Sequence, residues 1–239
     1  MLKTLKIFAG LMLCASLASS CVRVRINVDP TDPIVSFGKS VRATGEIVEK
    51  TVEFSSDYYA IEVHNAADIV FVQDDTCYAE VSARESAMEL LEMVVEDGRL
   101  FIGNKNNVSV SNGKMHIVLH SHSISRFNVF GACDLDSDCM TTDGDFELSI
   151  SGAGDVEIDK MEAASLKVYV KGAGEISIPD VACAGNISVD ILGAGDITLG
   201  GYCNDANVSI TGGGDIDIRS LDIRGEFTKH VAGGGDIRR

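Results

Sequence analysis

The sequence predicts an all-β protein built as a parallel β-solenoid with coils of about 20 residues. The first observation is a Gly-Ala-Gly-Asp motif, or a close variant, that recurs through the second half of the chain. The second is the alternation of apolar and polar residues on both sides of each copy, which is typical of half-buried strands. Consecutive copies are 19 to 21 residues apart and begin at Gly131, Gly152, Gly172, Gly193, Gly212 and Gly233.

The N-terminus has the pattern of an exported lipoprotein. Two lysines precede a short apolar run and then small residues, so residues 1–20 are predicted to be a secretory signal peptide. Cys21 directly follows Ala-Ser-Ser, which resembles the lipobox of bacterial lipoproteins and predicts that Cys21 is lipidated. Residues 21–45 contain two of the three prolines and are predicted to be a tether, because proline does not join a strand ladder easily. We therefore expect a lipid anchor in a membrane.

The N-terminal part of the solenoid, residues 46–130, is predicted to contain a short helix and a hairpin. Between Glu85 and Val95 apolar residues recur at spacings of three and four, which favours a helix. The dipeptide Asp97-Gly98 that follows is typical of a two-residue hairpin turn.

Residues 131–239 are predicted to form the repeated coils. The positions two, four and six before the first Gly of a copy are apolar, as in Phe146, Leu148 and Ile150, and so are the positions four and six after it. Each coil should therefore contain two short strands joined at a Gly corner. A β-sandwich would also show alternation, but it does not need the same corner sequence in every coil.

Variation among the copies assigns a separate requirement to each place of the corner. The first place holds Gly, or Asn65 in an early degenerate copy, and these residues tolerate positive φ. The second place holds only Ala or Gly, which predicts tight packing. The third place also holds Ala67 and Cys133, so small size should matter there more than positive φ. The fourth place is acidic and is predicted to point outward.

Charge and cysteine content limit the partners and the bonds that are expected. The net charge is −16, and it becomes −18 when residues 1–20 and their two lysines are removed, so nucleic-acid binding is not expected.

After Cys21 an odd number of cysteines remains, which leaves at least one free thiol in an export route that permits disulfides. Cys183 and Cys203 are one period apart, and both a disulfide and two buried thiols are open. The five cysteines are Cys77, Cys133, Cys139, Cys183 and Cys203.

Two groups of residues are candidate metal ligands, and no other cofactor is expected. The fourth-place acids would form a column of like charges, which a divalent cation or hydrogen bonds from corner N–H groups would offset; the hydrogen bonds are the preferred interpretation. On one strand His116, His120 and His122 should project together, and two His at i and i+2 can bind zinc; solvated outer residues are the preferred interpretation. The acids of the column are Asp134, Asp155, Glu175, Asp196, Asp215 and Asp236.

Outward-facing residues of the coils are candidate ligand contacts. Tyr169 and Phe130 are outward by parity, and exposed aromatic rings can stack on sugar rings. Lys167 and Lys171 lie beside Tyr169, and a β-helical polysaccharide lyase would need such a base near its acids.

Several segments between Gly45 and Arg239 form a pattern that extends beyond the repeats. They are Gly45-Glu46-Ile47-Val48, Tyr59-Ala60-Ile61-Glu62-Val63, Asp68-Ile69-Val70-Phe71-Val72-Gln73, the Asp97-Gly98-Arg99-Leu100 hairpin and the Gly-rich coils. With these segments the chain resembles the auto-transporter adhesin head (GIN) domain family of bacterial envelope lipoproteins. The resemblance implies a right-handed β-helix, an envelope or surface role and no catalytic residues.

These features together predict a non-enzymatic cell-envelope lipoprotein with an adhesin-like surface for a glycan or an envelope polymer. We expect it at the outer membrane, on the periplasmic face or at the cell surface. The alternatives are a polysaccharide lyase or hydrolase and a purely structural envelope component.

Overall fold

The structure is a computed structural model that describes residues 40–239, and these fold as a β-solenoid. The predicted signal peptide, the predicted lipidation site Cys21 and most of the predicted tether lie outside the described residues. Within the described part, no helix is long and apolar enough to cross a bilayer. Nearly all of it is β-strand, with one short α-helix and one 3₁₀ turn.

The strands and helices follow one another without long connections. In chain order they are β1 (Ser40–Arg42), β2 (Ile47–Glu53), β3 (Ala60–Val63), β4 (Ala66–Gln73), β5 (Tyr78–Arg84), α1 (Glu85–Leu90), β6 (Leu91–Glu96), β7 (Arg99–Asn104), the 3₁₀ turn (Lys105–Asn107), β8 (Ser109–Ser111), β9 (Met115–Ser121), β10 (Arg126–Val129), β11 (Ala132–Thr141), β12 (Asp145–Ile150), β13 (Val156–Ala163), β14 (Ser165–Val170), β15 (Ala173–Cys183), β16 (Asn186–Cys203), β17 (Asp205–Gly212), β18 (Ile216–Ile223), β19 (Phe227–Gly233) and β20 (Ile237–Arg238).

Each coil contributes one parallel rung to each of two faces, which we call the front sheet and the back sheet. The front sheet runs β7-β3-β10-β12-β14-β16-β17-β19, with β6 antiparallel on β7. The back sheet runs β9-β4-β11-β13-β15-β16-β18-β20, with β5 antiparallel on β9 and β2 antiparallel on β5. Strand β16 is long enough to take part in both. The predicted parallel solenoid is confirmed, and the sandwich alternative is wrong.

The coils contain a third inward-facing stretch that the sequence did not predict. After Val156 and Ile158, two adjacent exposed residues interrupt the alternation, and the chain bends so that Met161 and Ala163 again face the core. In the register of β13 with β15, Met161 pairs with Val181 and Ala163 pairs with Cys183. The interior is therefore lined on three sides. Alternation along the sequence did not predict the third side, because the two adjacent exposed residues at the bend shift the phase of the alternation.

The first coils are not stacked in sequence order. The coil formed by β3 and β4 lies between the β7–β9 coil, which comes later in the chain, and the β10–β11 coil. In this register Ala66, Ala67 and Asp68 pair with Ala132, Cys133 and Asp134. The early degenerate copy of the corner is therefore confirmed.

The predicted helix is shorter in the structure than in the sequence pattern. It ends at Leu90, and residues 91–96 form β6, because their backbone pairs with β7 and this pairing overrides the helical spacing of the side chains. The hairpin is confirmed: Asp97 has φ 50° and Gly98 has φ 72°, the two positive values that a type I′ turn requires.

The β-structure begins before the predicted end of the tether at residue 45. Ser40–Arg42 pairs in parallel with Ser109–Ser111, and Ala43 is buried. The segment that starts at Ser40 is thus part of the folded domain.

The two ends of the solenoid differ. One end is covered by the antiparallel strands β2, β5 and β6 and by α1. At the other end β19 is exposed along most of its length, and Lys229 occupies the position that Val208 fills in the previous rung. Arg239 also lies over the ring of Phe227, with 4.6 Å from the guanidinium carbon to the ring centre. Charge at an open edge of this kind discourages pairing with another chain.

All five cysteines of the described residues are free thiols. Cys183 and Cys203 lie on adjacent rungs and are both buried, which selects the thiol alternative over the disulfide. Burial raises the pKa of Cys203 to about 11 and that of Cys133 to about 12, so both remain protonated thiols.

The first place of each corner is packed against the backbone of the preceding coil. A Cβ on any of the six first-place glycines would lie 1.9–2.4 Å from the carbonyl oxygen of the first-place residue one coil earlier. Space, rather than backbone conformation, is therefore the requirement common to all copies. Positive φ occurs at Gly193, Gly212 and Gly233, so the prediction of positive φ is wrong for Gly131, Gly152 and Gly172.

The second place of the corner is open, whereas the third place is tightly packed. A Cβ on Gly213 or Gly234 would have nothing within 4 Å, so the predicted tight packing of the second place is wrong. The third place is tight, as predicted, because a Cβ on Gly154 would lie 1.9 Å from the carbonyl oxygen of Cys133.

Candidate binding surfaces

The outer face of the front sheet contains all four residues that the sequence proposes as ligand contacts. In β14, Lys167 and Tyr169 alternate with buried apolar residues, so their side chains point away from the core. Lys171 follows the same strand. Phe130 follows β10, two rungs away, which corresponds to about 10 Å along the solenoid axis.

An aromatic cluster lies on this face around Phe130. The ring of His64 stacks on Phe130 with 4.6 Å between ring centres and 21° between planes, and it contacts Phe101 at 4.9 Å. Phe130 is 48% exposed. The three rings come from successive rungs, β7, β3 and β10, that are far apart in the sequence. Sequence reasoning found only Phe130, because the rung order of the first coils is not the chain order.

The rest of the outer face carries mostly polar side chains in register. Ser149, Tyr169 and Asp190 are neighbours across β12, β14 and β16, and Glu147, Lys167 and Ser188 form the adjacent column. Among the ion pairs of residues 40–239, none involves Lys167 or Lys171.

The corner acids form a hydrogen-bonded ladder along the solenoid. The Oδ1 atom of Asp134 accepts from the backbone N–H of Asp155 at 3.2 Å, and Asp155 accepts from Glu175 at 3.0 Å. Asp196 accepts from Asp215, and Asp215 from Asp236, both at 3.0 Å. Each of these four aspartates therefore satisfies a corner N–H group of the next coil.

Basic side chains neutralise both ends of this acid column. At one end Lys114 contacts the carboxylates of Asp68 and Asp134, the latter at 2.7 Å. Its ammonium group lowers the pKa of Asp134, and the two hydrogen bonds raise the pKa of Lys114. At the other end Arg238 contacts Asp215 at 2.8 Å and Asp236 at 3.5 Å. The like charges of the column are thus offset in part by the protein's own cations.

An open groove of about 800 Å³ runs beside the first part of the column. Its lining includes second- and third-place residues such as Ala153 and Gly154 and the charged residues Arg84, Lys114 and Asp155. The predicted cation candidates Asp155, Asp196 and Asp215 lie along the same line of corners, where each accepts a backbone hydrogen bond.

Substitutions at Asp155 will separate the hydrogen-bonding role of the column from a cation-binding role. Asp155→Ala removes the acceptor for the Glu175 N–H group and is expected to lower the free energy of unfolding by about 1 kcal/mol. Asp155→Asn keeps an acceptor oxygen without the charge and is expected to stay within about 0.5 kcal/mol of the parent. Urea denaturation measures both. Equal losses in the two variants would show that the negative charge of the carboxylate, rather than its acceptor oxygen, is what stabilises the column.

The three histidines do not form one ligand set. His116 is exposed beside Asp68, and the ring of His120 stacks on Tyr78 at 4.2 Å while its Nδ1 lies 3.1 Å from a carboxylate oxygen of Asp74. His122 lies beyond the end of β9, where its side chain faces Asp57 and Cys77 rather than the other histidines. The common parity was correct, but the imidazoles have different neighbours: Asp68 for His116, Tyr78 and Asp74 for His120, and Asp57 and Cys77 for His122.

Comparisons with known proteins agree with this architecture. A family model described as putative auto-transporter adhesin, head GIN domain, matches residues 57–179 and 179–238. A crystal structure of a putative adhesin from Bacteroides fragilis NCTC 9343 has a TM-score of 0.67 at 18% identity, covering 83% of this chain and 99% of that one. A putative lipid binding protein from Parabacteroides distasonis ATCC 8503 has a TM-score of 0.68 at 19% identity, covering 84% and 99%. None of the curated proteins matches the chain. At these identities the solved structures share the fold.

Proposed function

The chain belongs to the family of auto-transporter adhesin head (GIN) domains, and from this premise we propose that it is a non-enzymatic envelope protein whose front sheet binds a glycan or an envelope polymer. The observation that carries the proposal is the solvent-facing aromatic cluster of His64, Phe101 and Phe130 on a mostly polar outer face that also exposes Tyr169 and Leu192. Aromatic rings that are exposed in this way offer an apolar face to the C–H side of a sugar ring.

The polar columns beside the cluster support a polymeric ligand. Polar groups recur on neighbouring rungs about 4.8 Å apart, since Ser188 and Asp190 of β16 pair with Asn207 and Ser209 of β17. They can donate to and accept from the hydroxyl groups of a sugar chain that lies along the solenoid axis. Tyr169, which is 37% exposed, supplies a second aromatic face two rungs from Phe130.

The anchoring part of the proposal depends on Cys21. We propose that this cysteine is lipidated and holds the solenoid at the outer membrane, with residues after it acting as the spacer. Metabolic labelling with a fatty-acid analogue tests this: the parent should incorporate label, and Cys21→Ser should not. Labelling that persists in Cys21→Ser would contradict lipidation at this residue. Protease added to intact cells would then distinguish display at the surface from display in the periplasm.

Glycan binding is tested with two single-ring substitutions on the front sheet. Phe130→Ala and Tyr169→Ala are each expected to weaken binding to any glycan that the parent recognises on an array or in a polymer pull-down by about tenfold, because each removes one stacking surface. The matched control is Tyr202→Ala, which removes an aromatic ring from the back sheet, where that ring contacts Arg224.

The outcome of this test is unambiguous in either direction. Background binding of the parent protein to glycans and envelope polymers would contradict the proposal. So would front-sheet variants that bind as well as the Tyr202→Ala control. Circular dichroism of each variant tests whether the solenoid is retained, which is expected because the substituted rings are at least partly exposed.

A further inference from the structure

A potential metal-ligand set lies at the covered end of the solenoid, away from the front-sheet cluster. It consists of Asp57, in the loop between β2 and β3, Cys77, immediately before β5, and His122, immediately after β9. Their ligand atoms all lie within 4.8 Å of one another. One carboxylate oxygen of Asp57 is 3.7 Å from Nε2 of His122 and 3.8 Å from Sγ of Cys77. Three separate segments of the chain thus direct a ligand atom to one point.

These separations fit a tetrahedral metal ion. Zinc binds nitrogen and oxygen at about 2.0–2.2 Å and sulfur at about 2.3 Å, which places the donor atoms of a tetrahedral site about 3.3–3.8 Å apart. Two of the three contacts already lie at or near the upper end of this range. Small side-chain rotations would complete the approach, because Asp57 and His122 are partly solvent-exposed.

The surroundings of His122 favour the tautomer that a metal requires. Its Nδ1 lies 3.1 Å from the backbone carbonyl oxygen of Asp74, and only an N–H group can donate to a carbonyl. In the neutral ring this leaves the lone pair on Nε2, the atom that faces Asp57 and Cys77. A histidine that donates its other ring N–H to a backbone carbonyl is the usual outer contact of a metal ligand.

We infer that Asp57, Cys77 and His122 bind a divalent transition-metal ion, with zinc as the class that this donor set fits best. One thiolate, one imidazole and one carboxylate suit zinc and are too soft a set for calcium or magnesium. With three protein ligands, the fourth position is left to water. The ion would join the loop before β3, the start of β5 and the end of β9, and so hold the antiparallel β5–β9 pair in place.

This inference does not depend on glycan binding, and its test uses only metal ions. Cobalt(II) added to the metal-free protein is expected to produce a thiolate-to-cobalt charge-transfer band, and zinc is expected to displace cobalt at a ratio of one ion per chain. Zinc should also raise the melting temperature, because it binds only the folded arrangement of the three segments. Calcium should do neither.

Matched substitutions assign the ligands. Cys77→Ser is expected to abolish the charge-transfer band, while Cys139→Ser, which alters an exposed free cysteine elsewhere, should keep it. His122→Gln and Asp57→Asn should each weaken zinc binding by at least about tenfold, and His116→Gln should leave it unchanged. The other altered side chains are at least partly exposed, and Cys77→Ser, at a partly buried position, changes the side chain by a single atom, so the apo forms of all these variants should melt at nearly the same temperature as the apo parent.

Two results would overturn the inference. One is a parent protein that binds neither zinc nor cobalt at millimolar metal concentration. The other is a band and a zinc affinity that survive in Cys77→Ser and His122→Gln, which would place any bound ion elsewhere. Failure of glycan binding with retention of the cobalt band would leave the metal site intact and reject only the proposed function.

Discussion

Gly212→Ala is expected to destabilise the solenoid by about 3 kcal/mol or more. Gly212 has φ 144°, a conformation that residues with a Cβ rarely adopt, and its Cβ would lie 2.1 Å from the carbonyl oxygen of Gly193 in the preceding coil. The contact is with backbone on a stacked rung, so it cannot be relieved by a side-chain rotation. For a domain of this size the loss corresponds to a fall in melting temperature of about 6–12 °C.

The neighbouring residue supplies the control for this prediction. Gly213→Ala adds the same methyl group one position later, where nothing lies within 4 Å, and φ there is not positive. This variant should be neutral or more stable by about 0.4–1 kcal/mol, because alanine restricts the unfolded chain. Thermal and urea unfolding measure both variants. Equal stability of the two variants would show that the corner packing described above is incorrect.

Hydrogen exchange will show how far the damage of Gly212→Ala extends. Each coil of a solenoid contacts only its neighbours, so protection should be lost first in the coils on either side of Gly212. Strands β4 and β9, at the covered end, should keep most of their protection.

The sequence was sufficient for the architecture because the determining signals are local and repeated. The spacing of the corner glycines and the alternation of residues such as Leu148 and Ile150 predict parallel rungs without any knowledge of long-range contacts. The order of the first coils was not predictable in this way, because β3 pairs with β7 and β10 at once and no periodic signal specifies that choice.

The corner shows why residue identity does not reveal which physical requirement acts. Gly152 and Gly212 occupy the same first place of the corner motif, yet only Gly212 has positive φ. At both positions an added Cβ would meet the carbonyl oxygen of the first-place residue in the preceding coil. This contact exists only when the coils are stacked. The second place was misjudged for the same reason, since Gly213 faces open space.

The candidate sites depend on contacts between distant segments and were only partly predictable. Phe130 and His122 were identified from parity, but their partners were not. His64 reaches Phe130 through adjacent rungs, and Cys77 reaches His122 because β5 pairs antiparallel with β9. Neither approach leaves a signature in the spacing of residues along the chain.

Phe127→Ala is expected to lower the stability of the solenoid strongly, because it removes a large buried ring from the front sheet. The Phe127 side chain is fully buried and lies between Ile61 and Leu148 on the neighbouring rungs. Removing the ring leaves a cavity that stacked β-strands cannot collapse, because the rung spacing is fixed by backbone hydrogen bonds. The expected loss is about 3–5 kcal/mol, or about 6–20 °C in melting temperature.

Phe130→Ala, three residues later, separates stability from binding. Phe130 is at the surface, where it stacks on His64, so its truncation should cost no more than about 1 kcal/mol. The two variants should therefore behave in opposite ways: Phe127→Ala lowers stability and, while folded, keeps the outer face, whereas Phe130→Ala keeps the fold and loses ligand stacking. Thermal unfolding and glycan binding, measured on both proteins, test this. Equal losses of stability would mean that the Phe130 ring is part of the core, and the front-sheet surface would then have to be reassigned.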